Sequence, residues 1–313
     1  MSIDVKPLRH KSFRWTLLIV TAVAVSACTA NAGTPVPAEI TATPAPAPPA
    51  NAAAMQPGVH AVADSLGVSG ALATEFADLQ REMPGSVGMA VMPVGGDRAI
   101  TLGNWTTGIA WSTIKVPLAL AALRQDPAGQ AELATAAITS SDNDAAQAMW
   151  DALGGGERAA EAVEAVLREA GDTTTDVADR HNAQARESVD DPMAFGATVW
   201  TLLNQVRFAS RLPCLQYAAR VVNLMSEITA SQSWGLGAFV GAEYKGGWGP
   251  DDETGAYLVR QFGLIPTWSG QLAVAFAAQP DSGSFDDACA MLDRMAALLA
   301  EHSRELGGGE CPR

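Results

Sequence analysis

Apolar positions recur at helical spacing from Ala61 to Arg81, where Leu72, Phe76 and Leu79 stand among alanines, and this predicts a helix closed by Pro84-Gly85. The pattern then changes period. Val87 to Val91 and Arg98 to Leu102 flank the turn-forming Gly95-Gly96-Asp97 and predict a hairpin. Ser112 opens a mostly apolar run to about Arg124, read as a buried helix, and a largely helical middle continues to about Ile228. Phe239 to Glu243, Tyr257 to Leu264 and Gly270 to Ala277 predict three successive strands. The closing segment, Phe285 to Arg304, places Met291, Leu292, Met295, Leu298 and Leu299 on one helical face. Strands at both ends with helices between predict an α+β fold. An antiparallel sheet would be flanked by the N- and C-terminal helices, a helical lobe would be inserted between strands, and a cleft would separate the two.

The N-terminus changes this picture by removing itself from the fold. Lys6, Arg9, Lys11 and Arg14 precede the apolar run Trp15 to Val25 and the sequence Val25-Ser26-Ala27-Cys28. A basic stretch, a short apolar stretch and small residues before a cysteine form the pattern of a bacterial lipoprotein signal peptide, with Cys28 as the lipidated residue. A membrane-spanning helix is the competing explanation, and it needs roughly 20 apolar residues, more than this run supplies. Residues Thr29 to Pro57 are almost all Ala, Pro, Thr and Asn, too poor in large apolar side chains for a core, and would form a tether spanning up to about 90 Å at roughly 3.1 Å per residue. The expected organisation is a signal peptide over 1–27, a lipidated cysteine and tether over 28–57, and one folded region over 58–313. The expected location is the outer face of the cell membrane, reached through the lipid anchor alone.

Charge narrows the partners. The chain carries 20 Lys plus Arg against 34 Asp plus Glu, a net charge of −14, and removing the leader takes away four basic residues and only Asp4. An acidic chain of this kind excludes nucleic acid and an anionic membrane surface as ligands. Cys214, Cys289 and Cys311 are an odd number in an oxidising compartment, which predicts one disulfide and one free thiol with the pairing left open. The histidines at 10, 60, 181 and 302 have no metal-ligand spacing with the cysteines, so neither a zinc site nor a Ser-His-Asp triad is expected, and no cofactor.

Three short pieces carry chemistry: Ser112-Thr113-Ile114-Lys115, Ser141-Asp142-Asn143 and Lys245-Gly246-Gly247. A Ser and a Lys three residues apart share one helical face, so an amine can reach the hydroxyl it deprotonates. Each piece is weak alone, and their order is informative. The stretch Ala136 to Gly155, AAITSSDNDAAQAMWDALGG, resembles the class A β-lactamases and their penicillin-binding relatives along its length. The resemblance extends to Val87–Met92 as first strand, Ser112–Leu123 as nucleophile helix, Asp190–Val206 as the helix after the omega loop, and Trp234–Gly247 as the strand bearing Lys-x-Gly. It implies a β-lactamase-like fold with Ser112 as nucleophile, Lys115 as base and Ser141 as proton relay. Asn143 would contact the substrate amide, Lys245 with Arg260 would hold an acidic group, and Gly247 would let substrate backbone lie close. The oxyanion hole would come from the backbone N–H of Ser112 and of a residue on the strand after Gly247.

The chain also departs from that family. Asp179-Arg180-His181-Asn182 matches the start of the omega loop, and Asn182 stands where the family has the glutamate that activates the deacylating water. An amide has no protonation change near neutral pH with which to act as a base. Glu187 is the nearest carboxylate, more simply read as a solvated loop residue, and Arg180 is expected to pair with Asp190 or Asp191. Gly246 replaces a Thr or Ser that helps hold the substrate carboxylate, and the stretch from Lys115 to Ser141 is short, which implies a more open cleft. Two functions follow. One is a lipid-anchored envelope serine acyl-transferase or hydrolase acting on peptidoglycan stem peptide or a β-lactam-like ligand, competent to acylate and slow to release. The other is a catalytically inactive binding or assembly module on the same fold.

Overall fold

In a computed structural model the described residues are 70–182, 188–251 and 253–312. The predicted leader, Cys28, the tether, the first part of the Ala61–Arg81 helix and Glu187 lie outside them. Among the described residues no helix is long and apolar enough to cross a membrane.

Five strands form one antiparallel sheet. β1 (Gly85–Pro93), β2 (Ile100–Gly103), β5 (Glu243–Pro250), β6 (Tyr257–Thr267) and β7 (Gly270–Pro280) stand in the order β2-β1-β7-β6-β5. Alternation explains why both faces are covered. Val87, Met89 and Val91 of β1, with Val274 and Phe276 of β7, point to one side, where Leu72 and Phe76 of α1 (Gly70–Glu82) and Leu292 and Met295 of α8 (Phe285–Glu301) meet them. Ala90 and Met92, with Ala273, Ala275 and Ala277, point to the other side and into the helical lobe. The alanine stripe on β7 has no bulk, so α6 (Leu202–Arg211) can lie close to the sheet and bury Val206 and Phe208 there. Trp200, Phe208 and Phe262 form a triangle at this junction, with centroids 5.6–5.9 Å apart. Full burial of one such phenylalanine contributes about 1.5–3 kcal/mol.

The lobe contains α2 (Lys115–Gln125), α3 (Ala131–Thr139), α4 (Asn143–Ala152), α5 (Gly156–Glu169) and α7 (Ala218–Met225). A ribbon of β3 (Thr107–Ile109) paired with β4 (Val199–Thr201) joins it to the sheet. Cys214 and Cys311 form the disulfide, and Cys289 is the free thiol, pushed up to about 12 by burial and then by Asp293 and Asp286, so it stays protonated and unreactive.

Three expectations need correction. The strand expected at Phe239–Glu243 begins where it was to end: Gly235–Ala238 is a 3-10 turn, Gly241 takes φ 78°, and extension starts at Glu243. Ser112 does not open an α-helix; it sits in the 3-10 turn Trp111–Ile114, and α2 begins at Lys115. Nor is Asp190–Val206 one helix. Pro192 and a left-handed Met193 break it, a 3-10 turn covers Ala194–Ala197, and Val199–Thr201 extends to pair with β3 before α6 starts.

Candidate functional site

The turn that carries Ser112 is held from three sides. Trp111 has φ 50°, a left-handed conformation that costs energy for a non-glycine residue and delivers Ser112 directly after it. Beneath it, the fully buried Thr113 hydroxyl donates to Ala110 O at 2.6 Å and accepts from Gln205 Nε2 at 3.0 Å. Gln205 Oε1 in turn accepts from Arg260 at 3.0 Å. On the third side β5 runs alongside: a Cβ on Gly247 would lie 2.8 Å from Thr113 N and 2.9 Å from Ser112 N, so only glycine lets the strand pass this close.

Two lysines and one serine then converge. Lys115 is 1 % exposed, and its Nζ donates to Ser141 O at 2.7 Å, Asp142 O at 3.3 Å and Asn143 Oδ1 at 2.5 Å, with Ser141 Oγ at 3.5 Å. Lys245, fully buried, donates to Ser141 Oγ at 2.9 Å and to Gly246 O at 2.9 Å. The loop bearing these acceptors is fixed by a left-handed Ser141 at φ 61° and by Asp142, which caps α4 by accepting from Ala145 N at 2.7 Å. Burial drives the Lys115 amine down to about 8, with the nearby Asp142 opposing the shift. Burial and the Lys115 charge take Lys245 well below the ordinary lysine range. Among the described residues no hydrogen bond joins Lys115 to Ser112, because all three ammonium donors face the Ser141–Asn143 loop.

Ser112, Lys115 and Asn143 form the polar end of a cleft of about 370 Å³. Ile109, Trp111, Met193, Phe195, Trp248 and Tyr257 also line it.

No model of a known protein family matches the chain, and neither does any curated protein sequence. Solved structures do match. A variant of the class A β-lactamase of the last common ancestor of Gram-negative bacteria is 20 % identical, with a TM-score of 0.57, over 76 % of this chain and 99 % of that one. The class A β-lactamase from Mycobacterium abscessus gives 16 % identity and 0.56 over 74 % and 98 % of the two chains, and the putative class A β-lactamase PenP from Rhodopseudomonas palustris 21 % and 0.56 over 74 % and 99 %. The fold is that of the class A β-lactamases. Within this β-lactamase fold, Ser112, Lys115, Ser141, Asn143, Lys245 and Gly247 come together in one place.

Arg260 does not join them, which corrects its expected role in the β-lactamase-like site. Its guanidinium is fully buried, donates to Gly108 O, Ile109 O and Trp200 O at 2.9–3.1 Å, and lies 5.0 Å from the Trp105 ring centroid. It clamps the β3–β4 ribbon and, through Gln205, the turn that carries Ser112. Arg180 is also differently engaged. It pairs with Glu164 at 3.1 Å and with Glu157 on α5, not with Asp190 or Asp191. Asp191 instead accepts from Ser188 N, and Asp190 lies against Gly156. Glu164 also accepts from Val177 N at 3.0 Å, so the pair pins residues 177–180 to α5.

Asn182, expected from the resemblance to stand where the family has a glutamate, is exposed and outside the described cleft lining. The described lining contains no carboxylate at all. Glu164, Asp176 and His181 bring ligand atoms within 4.8 Å of one another, but the Arg180 cation already lies against Glu164 and Asp176, which disfavours a metal ion there. Gly246 has a further reason to lack a side chain, since a Cβ would meet the Trp234 ring at 2.6 Å. The sequence reading missed Trp111, the Met193–Ala197 wall, Trp248, Tyr257 and Gln205. Adjacency to Ser112 and to Gly247 was the available signal for Trp111 and Trp248.

Proposed function

We propose that this protein forms an acyl-enzyme at Ser112 and holds it, as a lipid-anchored member of the cell envelope of the penicillin-recognising type. The observation that supports this best is the convergence of Lys115 and Lys245 on Ser141, with Lys115 lining the same cleft as Ser112. In its neutral form the Lys115 amine takes the Ser112 proton as Oγ attacks a carbonyl, and Ser141 passes a proton to the leaving group. Release is expected to be slow because Asn182, an amide with no protonation change near neutral pH, stands where the resemblance places the glutamate that activates water. β-Lactams and stem peptides are the carbonyl compounds the resemblance suggests.

Intact-protein mass spectra after prolonged incubation with benzylpenicillin, a cephalosporin and a fluorophosphonate should show a stable adduct in wild type and none in Ser112→Ala. Turnover of a chromogenic cephalosporin should be negligible. A second reading, a non-catalytic binding module, draws on the Lys115 ammonium being fully engaged by Ser141 O, Asp142 O and Asn143. Absence of every adduct would leave that reading standing.

A further inference from the structure

We infer that His302 is a pH-sensitive latch where α1 meets the end of α8. As an imidazolium it ties α1 to the turn that follows α8, and on losing a proton it releases one of these two ties. Both helices cover the sheet face opposite the helical lobe, so the latch does not depend on chemistry at Ser112.

The ring is buried, with a side chain only 7 % exposed, and both of its nitrogens face carboxylates. Nε2 lies 3.0 Å from Glu75 Oε2 on α1, and Nδ1 lies 3.3 Å from Glu305 Oε2 in the turn after α8. A neutral imidazole carries a single N–H, so its other nitrogen would set a lone pair against a carboxylate oxygen. Only the imidazolium donates to both. Position adds to this, because His302 directly follows Glu301, the last residue of α8, where the partial negative charge of the helix end favours a cation. Burial pushes the ring pKa down, and the hydrogen bonds and charges of Glu75 and Glu305 outweigh it, so the ring titrates above its ordinary 6.5. Other charged groups on these elements are turned to other tasks. Asp78 pairs with Arg81 within α1, Glu82 pairs with Arg294 across the two helices, and Glu301 and Arg304 are exposed.

The backbone of the same residue organises the end of the chain. Its carbonyl accepts from Glu305 N at 2.9 Å and Leu306 N at 3.2 Å, and buried Leu306 leads into Gly309, which exchanges two hydrogen bonds with Gln271. The folded ring holds its proton more tightly than the unfolded chain does. The latch therefore contributes fully below the unfolded pKa, and its contribution is lost as the pH rises through the higher folded value.

The full chain labelled with 13C-histidine can be titrated by NMR, with His302→Gln identifying the signal. The ring should titrate above 6.5, and Glu75→Gln should lower its midpoint. Should His302→Gln fail to fold, the signal is identified by replacing His10, His60 and His181 instead. Amide exchange of α1 and of residues 302–306 should be about threefold slower in wild type than in Glu75→Gln at pH 6, and the difference should shrink as the pH is raised to 9. A ring midpoint at or below 6.5, or an exchange difference that does not vary with pH, would overturn the inference.

Discussion

In the proposed acylation Lys115 is the side chain on which the chemistry would turn, because its two protonation states do different work. As an ammonium it donates to three oxygens of the Ser141–Asn143 loop and holds that loop in place. As a neutral amine it gains the lone pair a base needs. Burial brings its pKa down to about 8, so the neutral fraction is about a tenth at pH 7 and half near pH 8. The acylation rate should therefore climb about tenfold per pH unit below 7 and level off above about 8 to 9. Stopped-time mass spectra of adduct formation across pH 6–10 check this, and a flat profile would remove Lys115 as the base. Gly247 matters at the same scale for a steric reason, since any side chain there would press on the Ser112 and Thr113 amides.

Between elements, fully buried Arg260 and half-buried Arg180 do structural work that looks alike in sequence and differs in kind. Arg260 has no acidic partner among the described residues; its two terminal nitrogens donate to carbonyl oxygens, its face lies over a ring and its Nε is left without a partner, so it ties three elements together without an ion pair. Arg180 neutralises Glu164, whose side chain is 11 % exposed, and the pairing and hydrogen bonds with Glu164, followed by those with Glu157, raise its own pKa further. Removing one partner of a buried pair costs about 3–5 kcal/mol, whereas an exposed pair contributes about 0.2–1 kcal/mol. Arg168 remains 3.6 Å from Glu164, so Arg180→Ala should fall at the low end of the first range. Glu157→Ala removes a partner that is 57 % exposed and should change stability by no more than about 1 kcal/mol. Urea unfolding of both variants separates the cases, and equal midpoints would show that the Glu164 pair is worth no more than a surface contact.

Across the whole molecule, the sequence yields the layout and loses it where glycine is used for proximity instead of for turning. β1, β6, β7 and α8 were legible because their apolar positions alternate or recur on one face. β5 was misplaced because Lys245-Gly246-Gly247-Trp248-Gly249 has the composition of a loop. Its glycines admit the Trp234 ring, the Ser112 turn and the Trp111 ring in succession. The site residues were legible through three local motifs. Arg260 was misassigned because its partners, at positions 108, 109, 200 and 205, are far away in sequence and mostly backbone. The envelope location belongs to this scale as well. If Cys28 is the anchor, mass spectrometry of the membrane fraction should find an N-terminus at Cys28 blocked by acyl chains, and a soluble mature form starting elsewhere would refute it.

The two indoles in the cleft wall have a practical consequence. Trp111 lies against Gly249, and Trp248 lines the same cleft with the Trp234 ring edge-on 6.1 Å away. Displacing solvent from this end of the cleft changes the polarity around both rings, so occupancy alters the protein's own ultraviolet emission. Binding that never proceeds to a covalent bond would thus be visible without a label, by titration in a fluorimeter.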